Sequence, residues 1–190
     1  MQYVFQSPFS SLNPRRSIGQ SLTVPLEMSG EGTAATRKAQ VEEALDSVRL
    51  GRSFHHRCPG DLSGGERQRA AIARALVNQP SVLVCDEIIS ALGVSVQASI
   101  IGLLRTLRKE HQLAMLFVTH NIALSRHIAD CLAVLNKGSI VDYGPTTEGA
   151  GEPEARIHAY AHRRRAEVLK GKLGLVTNRR RKQARTLRHQ

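Results

Sequence analysis

No tryptophan occurs in the chain, and aromatic residues make up only 4% of it. A core must therefore be packed from Leu, Val, Ile and Ala, which an apolar content of 41% permits. Long apolar runs are missing as well, for none approaches the ~20 residues that a membrane-crossing helix needs. Met1 leads directly into Gln2-Tyr3-Val4-Phe5-Gln6, which lacks the pattern of a secretory leader. Only three cysteines are present (Cys58, Cys85 and Cys131), none in C-x-x-C spacing. That argues against a disulfide framework or a thiolate metal cluster and leaves reduced thiols as the expectation. His55 and His56 are adjacent, but no nearby ligand set accompanies them, so metal binding there is not expected.

Acidic residues are scarce in one place only. Residues 1–150 hold 15 Lys/Arg against 13 Asp/Glu, whereas residues 151–190 hold 12 against 3. The formal charge of +11 thus belongs mostly to the tail and says little about the folded part. Arginine-rich clusters at 163–165 and 179–182 are able to contact nucleic acid or anionic lipid. Composition favours the plainer expectation of a disordered, solvated extension.

What the sequence does have is concentrated at 62–87. Leu62-Ser63-Gly64-Gly65-Glu66-Arg67-Gln68-Arg69 opens a helix, with Ser63 as N-cap and Glu66 completing an S-x-x-E capping box. Gly64 and Gly65 carry no side chains, so an anion could approach the exposed N–H groups at the helix's positive end. After an Ala-rich run, Val82-Leu83-Val84-Cys85 reads as a strand covered on both faces, ending in Asp86-Glu87. Two acids closing an apolar strand are costly unless they meet a cation or a reacting water. Each piece alone also fits a plain capped helix or a solvated strand end.

The rest of the chain reads as alternating elements. Helices are expected at 17–28, 37–50, 66–78 and from Val96 to near Arg108-Lys109, the last with Ile100, Leu103, Leu104 and Leu107 at helical spacing. Residues 51–61 read as a loop, with Gly51, Pro59 and Gly60. A buried strand at 114–118 delivers Thr119-His120, a helix follows around 122–129, and strands at 131–135 and 139–143 flank the turn Asn136-Lys137-Gly138. The chemistry-bearing groups therefore gather at strand C-terminal ends and at one helix N-terminus, the edge where ligands bind in open α/β sheets.

LSGGERQR followed by four apolar residues and Asp-Glu resembles the signature motif and Walker B strand of ABC-type ATPases. Val4-Phe5-Gln6-Ser7-Pro8-Phe9-Ser10-Ser11-Leu12-Asn13-Pro14-Arg15 resembles the Q-loop and following segment of the ATPase subunits of oligopeptide, dipeptide and nickel importers. The match covers about residues 1–145. It implies an α/β fold: a partial P-loop NTPase domain with a helical subdomain and a mostly parallel sheet. The implied division is a Q-loop segment at 1–15, a helical subdomain at 16–62 ending at the signature motif, and a Walker B, D-loop and switch-histidine core at 63–145. The basic tail occupies 146–190.

The resemblance also implies roles. ATP and Mg²⁺ would be the cofactors, and ATP hydrolysis coupled to transport, of peptides in particular, the activity. Asp86 would hold Mg²⁺, Gln6 would reach the metal through water, Glu87 would be the general base, and His120 would contact the γ-phosphate. Ser63, Gly64, Gly65 and Glu66 would serve the ATP of a partner subunit. Implied partners are a second ABC ATPase subunit and transmembrane permease subunits, with the chain cytoplasmic and peripheral on the inner face of the membrane. Nucleic acid is not an expected partner, although the tail keeps open the alternative of a basic nucleic-acid-associated protein.

Three departures qualify these implications. Ile88 stands where the family usually has Pro, and Ser90-Ala91-Leu92-Gly93 lacks the D-loop aspartate. No G-x-x-x-x-G-K-[ST] occurs anywhere, so the loop that wraps phosphates is absent from this sequence. A start part-way through the usual domain, at an internal methionine or in a degraded gene fragment, is therefore expected. So is weak or absent ATP turnover by the chain alone. The P-loop strand normally lies beside the strand carrying His120, so its absence predicts unpaired edges in mid-sheet.

Overall fold

The computed structural model describes residues 1–7, 11–30, 32–90, 92–121, 125, 127–146 and 173–177. The elements run β1 (Gln2–Val4), α1 (Ile18–Ser29), α2 (Ala34–Ser47), α3 (Gly64–Leu76), β2 (Val82–Asp86), α4 (Val94–Glu110), β3 (Ala114–Thr119), β4 (Cys131–Asn136), β5 (Ser139–Pro145) and β6 (Leu173–Thr177). The helices expected at 37–50 and 66–78 begin two to three residues earlier than periodicity alone places them. Their caps explain this, because Thr33 and Ser63 accept hydrogen bonds from the N3 amides and fix the first turns. The loop at 51–61 contains two short 3₁₀ turns, Arg52–His56 and Pro59–Asp61. The helix expected around 122–129 lies largely outside the described residues.

One sheet of order β1-β2-β3-β6-β4-β5 forms the centre. β1, β2 and β3 are parallel, with Tyr3 opposite Val84 and Val84 opposite Leu116. Parallel strands need both faces covered, and in β2 Leu83 and Cys85 on one face are 0% exposed while Val84 on the other is 9% exposed. Ile100, Leu103, Leu104 and Leu107 of α4 are buried as the spacing predicts. Ala70, Ala71, Ala73 and Ala75 let α3 approach its neighbours closely. A single apolar cluster joins α1 and α2 (Ile18, Leu22, Val41, Leu45) to the strands (Leu83, Met115, Phe117). Arg69 on α3 ties the parts further, donating to the Val48 carbonyl at 2.9 Å and to Ser99 Oγ at 2.7 Å. Between β4 and β5, Lys137 and Gly138 both have positive φ, the requirement of a type I′ turn.

Two expectations about the tail need correction. Residues 146–190 were expected to be a structureless extension, and the mid-sheet edge beside β3 was expected to be unpaired. Instead β6, from within that tail, lies antiparallel to β3 on one side and to β4 on the other. Leu173-Gly174-Leu175-Val176-Thr177 is an apolar, β-favouring run within a basic stretch. Its backbone donors and acceptors complete two ladders that would otherwise be open. Among the described residues, no helix is long and apolar enough to cross a membrane.

Candidate active site

The acids at the end of β2 leave the strand in different directions and meet different partners. Strict alternation puts Tyr3, Phe5, Val84 and Asp86 on one face of the β1–β2 pair and Val4, Gln6 and Cys85 on the other. The Tyr3 hydroxyl donates to Asp86 Oδ2 at 2.6 Å. Gln6 Nε2 donates to Glu87 Oε2 at 3.0 Å.

Glu87 is held from a third strand as well. His120, just beyond β3, places Nδ1 2.8 Å from Glu87 Oε1. The Glu87 backbone N–H donates to the Val118 carbonyl of β3 at 2.9 Å. Its φ is +47°, in the left-handed region that non-glycine residues seldom adopt. That turn takes the chain out of the strand and aims the carboxylate between Gln6 and His120. The Glu87 carbonyl then accepts from the Ser90 N–H at 3.1 Å and from Ser90 Oγ at 2.8 Å, which fixes the connector. Glu87 is the more sheltered partner, its side chain 19% exposed against 58% for His120. Such a carboxylate, with both oxygens oriented and an open histidine beside it, is arranged to accept a proton from a bound water.

The buried Ile88 and Ile89 follow directly, so the departure from Pro at position 88 puts an apolar side chain into the core. Cys85 is fully enclosed, and burial pushes its thiol far up, so it stays protonated and takes no part.

The predicted capped helix start at Ser63 is formed. Ser63 Oγ accepts from the Glu66 N–H at 3.3 Å, and Glu66 Oε2 accepts from the Ser63 N–H at 2.8 Å. The Ser63 hydroxyl beside it, aided by the Ser63 N–H, holds the Glu66 carboxyl below its ordinary value. With Glu66's amide used by the cap, the first-turn N–H groups of Gly64 and Gly65 are the donors without intrahelical partners. The two glycines differ. A Cβ on Gly65 would sit 2.9 Å from Val96 Cγ1 of α4, whereas one on Gly64 would have only Leu92 at 3.7 Å. A side chain at position 65 would therefore press on α4, a packing reason for glycine that sequence alone did not suggest.

Mg²⁺ fits what the acids leave available. It binds through one or two carboxylates, keeps several waters and takes phosphate oxygens besides. Asp86 has one oxygen committed to Tyr3, and Gln6 keeps its amide oxygen while its nitrogen serves Glu87. Among the described residues, no group of three His, Cys, Asp or Glu could form a complete cage. The site suits a cation that arrives with phosphates. Tyr3 was missed in the sequence reading, and only the β1–β2 register could have found it.

Residues 1–90 match the protein family described as ABC transporter. Among curated proteins, one from Brucella abortus (strain 2308), provisionally named a peptide import ATP-binding protein, is 42% identical over 161 residues. These are 85% of this chain and 47% of that protein. An Escherichia coli (strain K12) protein, DdpF, named with similar reserve for D,D-dipeptide transport and ATP binding, is 45% identical over 144 residues. These are 76% of this chain and 47% of the relative. The chain thus spans about half the length of the curated relatives it matches. Among solved structures, the dimeric ATP-binding cassette MJ0796 in a post-hydrolysis state with ADP and Pi superposes with a TM-score of 0.65. That match has 29% identity and covers 77% of this chain and 62% of the cassette. The α/β fold is that of ABC cassettes.

Proposed function

Since residues 1–90 match the family described as ABC transporter, we propose that the chain serves as an ATP-binding and ATP-hydrolysing subunit of an ABC importer for peptides. The observation that carries this reading is the placement of Glu87 between Gln6 Nε2 at 3.0 Å and His120 Nδ1 at 2.8 Å. Two residues from distant parts of the sequence converge on the carboxylate of a third and orient both of its oxygens.

In this reading Glu87 accepts the proton of the attacking water. Gln6 and His120 hold the two carboxylate oxygens so that the base needs no reorientation at the moment of reaction. His120, the more exposed member of the His120–Glu87 pair, would contact the γ-phosphate. Asp86 and the Gln6 amide oxygen would hold Mg²⁺, which when bound neutralises the charge developing on the phosphates. Ser63, Gly64 and Gly65 would offer the helix-start donors to a nucleotide shared with a second ATPase subunit. Permease subunits are the further partners, and the chain would sit peripherally at the cytoplasmic face of the membrane. The names of the relatives, which include peptide and dipeptide import, favour peptide as the cargo.

No phosphate-wrapping loop occurs in this sequence, so the test supplies one. A P-loop-bearing N-terminal segment of a peptide-importer ATPase is joined ahead of Met1, and complex formation and phosphate release are followed with and without Mg-ATP. A nucleotide-dependent complex whose hydrolysis falls at least about 100-fold with Glu87→Gln in this chain is the expected result. Absence of any complex, or equal rates for wild type and Glu87→Gln, would overturn the reading.

A further inference from the structure

Tyr3 lies on β1, the edge strand, directly opposite Val84. Its ring reaches diagonally along the β1–β2 pair to Asp86, at an O–H···O distance of 2.6 Å. That length falls in the range of hydrogen bonds to an ionised carboxylate. Phe5, two residues on and on the same face, packs against the ring with centroids 4.5 Å apart and planes tilted by 44°. Both aromatics are substantially exposed, at 40% and 50%. Burial in the core therefore does not account for this pair, and the directed contact to Asp86 does.

Resting on the ATPase reading above, we infer that Tyr3 is a positioning residue that restricts Asp86 to one metal-facing oxygen. With one lone pair of Oδ2 committed to the hydroxyl, Oδ1 is the oxygen better placed to take a cation. One-oxygen carboxylate ligation suits the compact octahedron of Mg²⁺. Ca²⁺ commonly takes a carboxylate through both oxygens and tolerates looser geometry. The hydroxyl thus does two things: it holds the carboxylate in one orientation, and it disfavours the larger ion. Hydrogen-bonding partners of ligating carboxylates typically change metal affinity by 10- to 100-fold when removed. Tyr3→Phe removes the hydroxyl and keeps the stacked ring, so it isolates this effect from strand packing.

The test uses the full chain with ATP and with Mn²⁺ as a paramagnetic probe, binding being followed by electron paramagnetic resonance and competition by Mg²⁺ and by Ca²⁺. Asp86→Asn defines which binding belongs to this site. Tyrosines labelled at Cζ give an NMR signal for Tyr3, assigned by its loss in Tyr3→Phe. The expected result is an Asp86-dependent Mn²⁺ site that Tyr3→Phe weakens at least about tenfold. The competition in that variant should also shift from Mg²⁺ toward Ca²⁺. Unchanged affinity and unchanged ion preference in Tyr3→Phe would overturn the inference and leave the ATPase reading standing. A Tyr3 signal indifferent to Asp86→Asn would overturn it too, by showing that the contact does not form. Absence of any Asp86-dependent Mn²⁺ binding in the wild-type chain would overturn the inference, whereas the ATPase reading falls only with the hydrolysis experiment above.

Discussion

His120 Nδ1 lies 2.8 Å from Glu87 Oε1, joining the residue after β3 to the residue after β2. The two strands are adjacent and parallel, with Asp86 opposite Val118, so the ends of both reach the same level of the sheet. The bond is therefore a consequence of register, and anything that shifts β3 against β2 breaks it.

Glu87 holds a left-handed backbone at φ +47°, an arrangement that costs a non-glycine residue on the order of 1–3 kcal/mol. Glu87→Gly should therefore change unfolding stability by less than about 1 kcal/mol, although two side-chain hydrogen bonds are lost with the carboxylate. Urea unfolding of the two proteins measures this. A loss above about 3 kcal/mol would show that the backbone is not strained there.

Gly65 and Gly64 should respond oppositely to alanine. Gly65→Ala brings a methyl to 2.9 Å from Val96 Cγ1 and should cost about 1–3 kcal/mol by overpacking. Val96→Ala in the same chain should recover most of that cost, and a double-mutant cycle quantifies the coupling. Gly64→Ala has room, at 3.7 Å from Leu92, and should be neutral or stabilising by up to about 1 kcal/mol. Any loss of partner association in Gly64→Ala would then reflect a blocked helix start rather than misfolding.

The capping box gives a pH dependence of defined sign. Hydrogen bonds from Ser63 hold the Glu66 carboxyl below its ordinary value of 4.5, so the unfolded chain takes up this proton first. The contribution is present above pH 4.5 and is lost as pH falls through the lower folded value. Thermal unfolding from pH 6 to pH 3 should therefore show a steeper decline in wild type than in Glu66→Gln. Ser63→Ala should cost about 1 kcal/mol at neutral pH. Parallel acid profiles for wild type and Glu66→Gln would contradict this account.

Removal of residues 147–190 should open the facing edges of β3 and β4, because β6 pairs with both. Exposed edges template intermolecular pairing. The shortened chain should associate at micromolar concentration, and amide exchange at 116–119 should accelerate. Leu175→Pro, which removes a ladder donor from the centre of β6, should have the same effect in milder form. Unchanged exchange at β3 in both variants would show that β6 does not hold the sheet.

Much of the fold was legible along the chain because it depends on local chemistry. The S-x-x-E pattern at Ser63 and Glu66 formed the cap, the periodic Leu and Ile residues formed α4, and the continuous apolar run 82–85 formed a doubly covered strand. Boundaries were off by a few residues where caps and not periodicity set them, as at Thr33 and Ser63. The tail was misjudged because its average composition is that of a solvated segment, while five residues within it meet a need for backbone partners elsewhere in the sheet.

The sequence by itself determined the element types, the capped helix start and the paired acids at 86 and 87, and its resemblance to ABC ATPases singled out Gln6 and His120. Tertiary structure alone decided which groups touch. Strand register placed Tyr3 on Asp86 and Gln6 on Glu87, the positive φ of Glu87 turned its carboxylate toward His120, and the α3–α4 approach left little room for a side chain at Gly65. Local patterns act over a few residues and can be read in order. Contacts between positions 3 and 86, or 87 and 120, exist only once the sheet has fixed the strands' relative level.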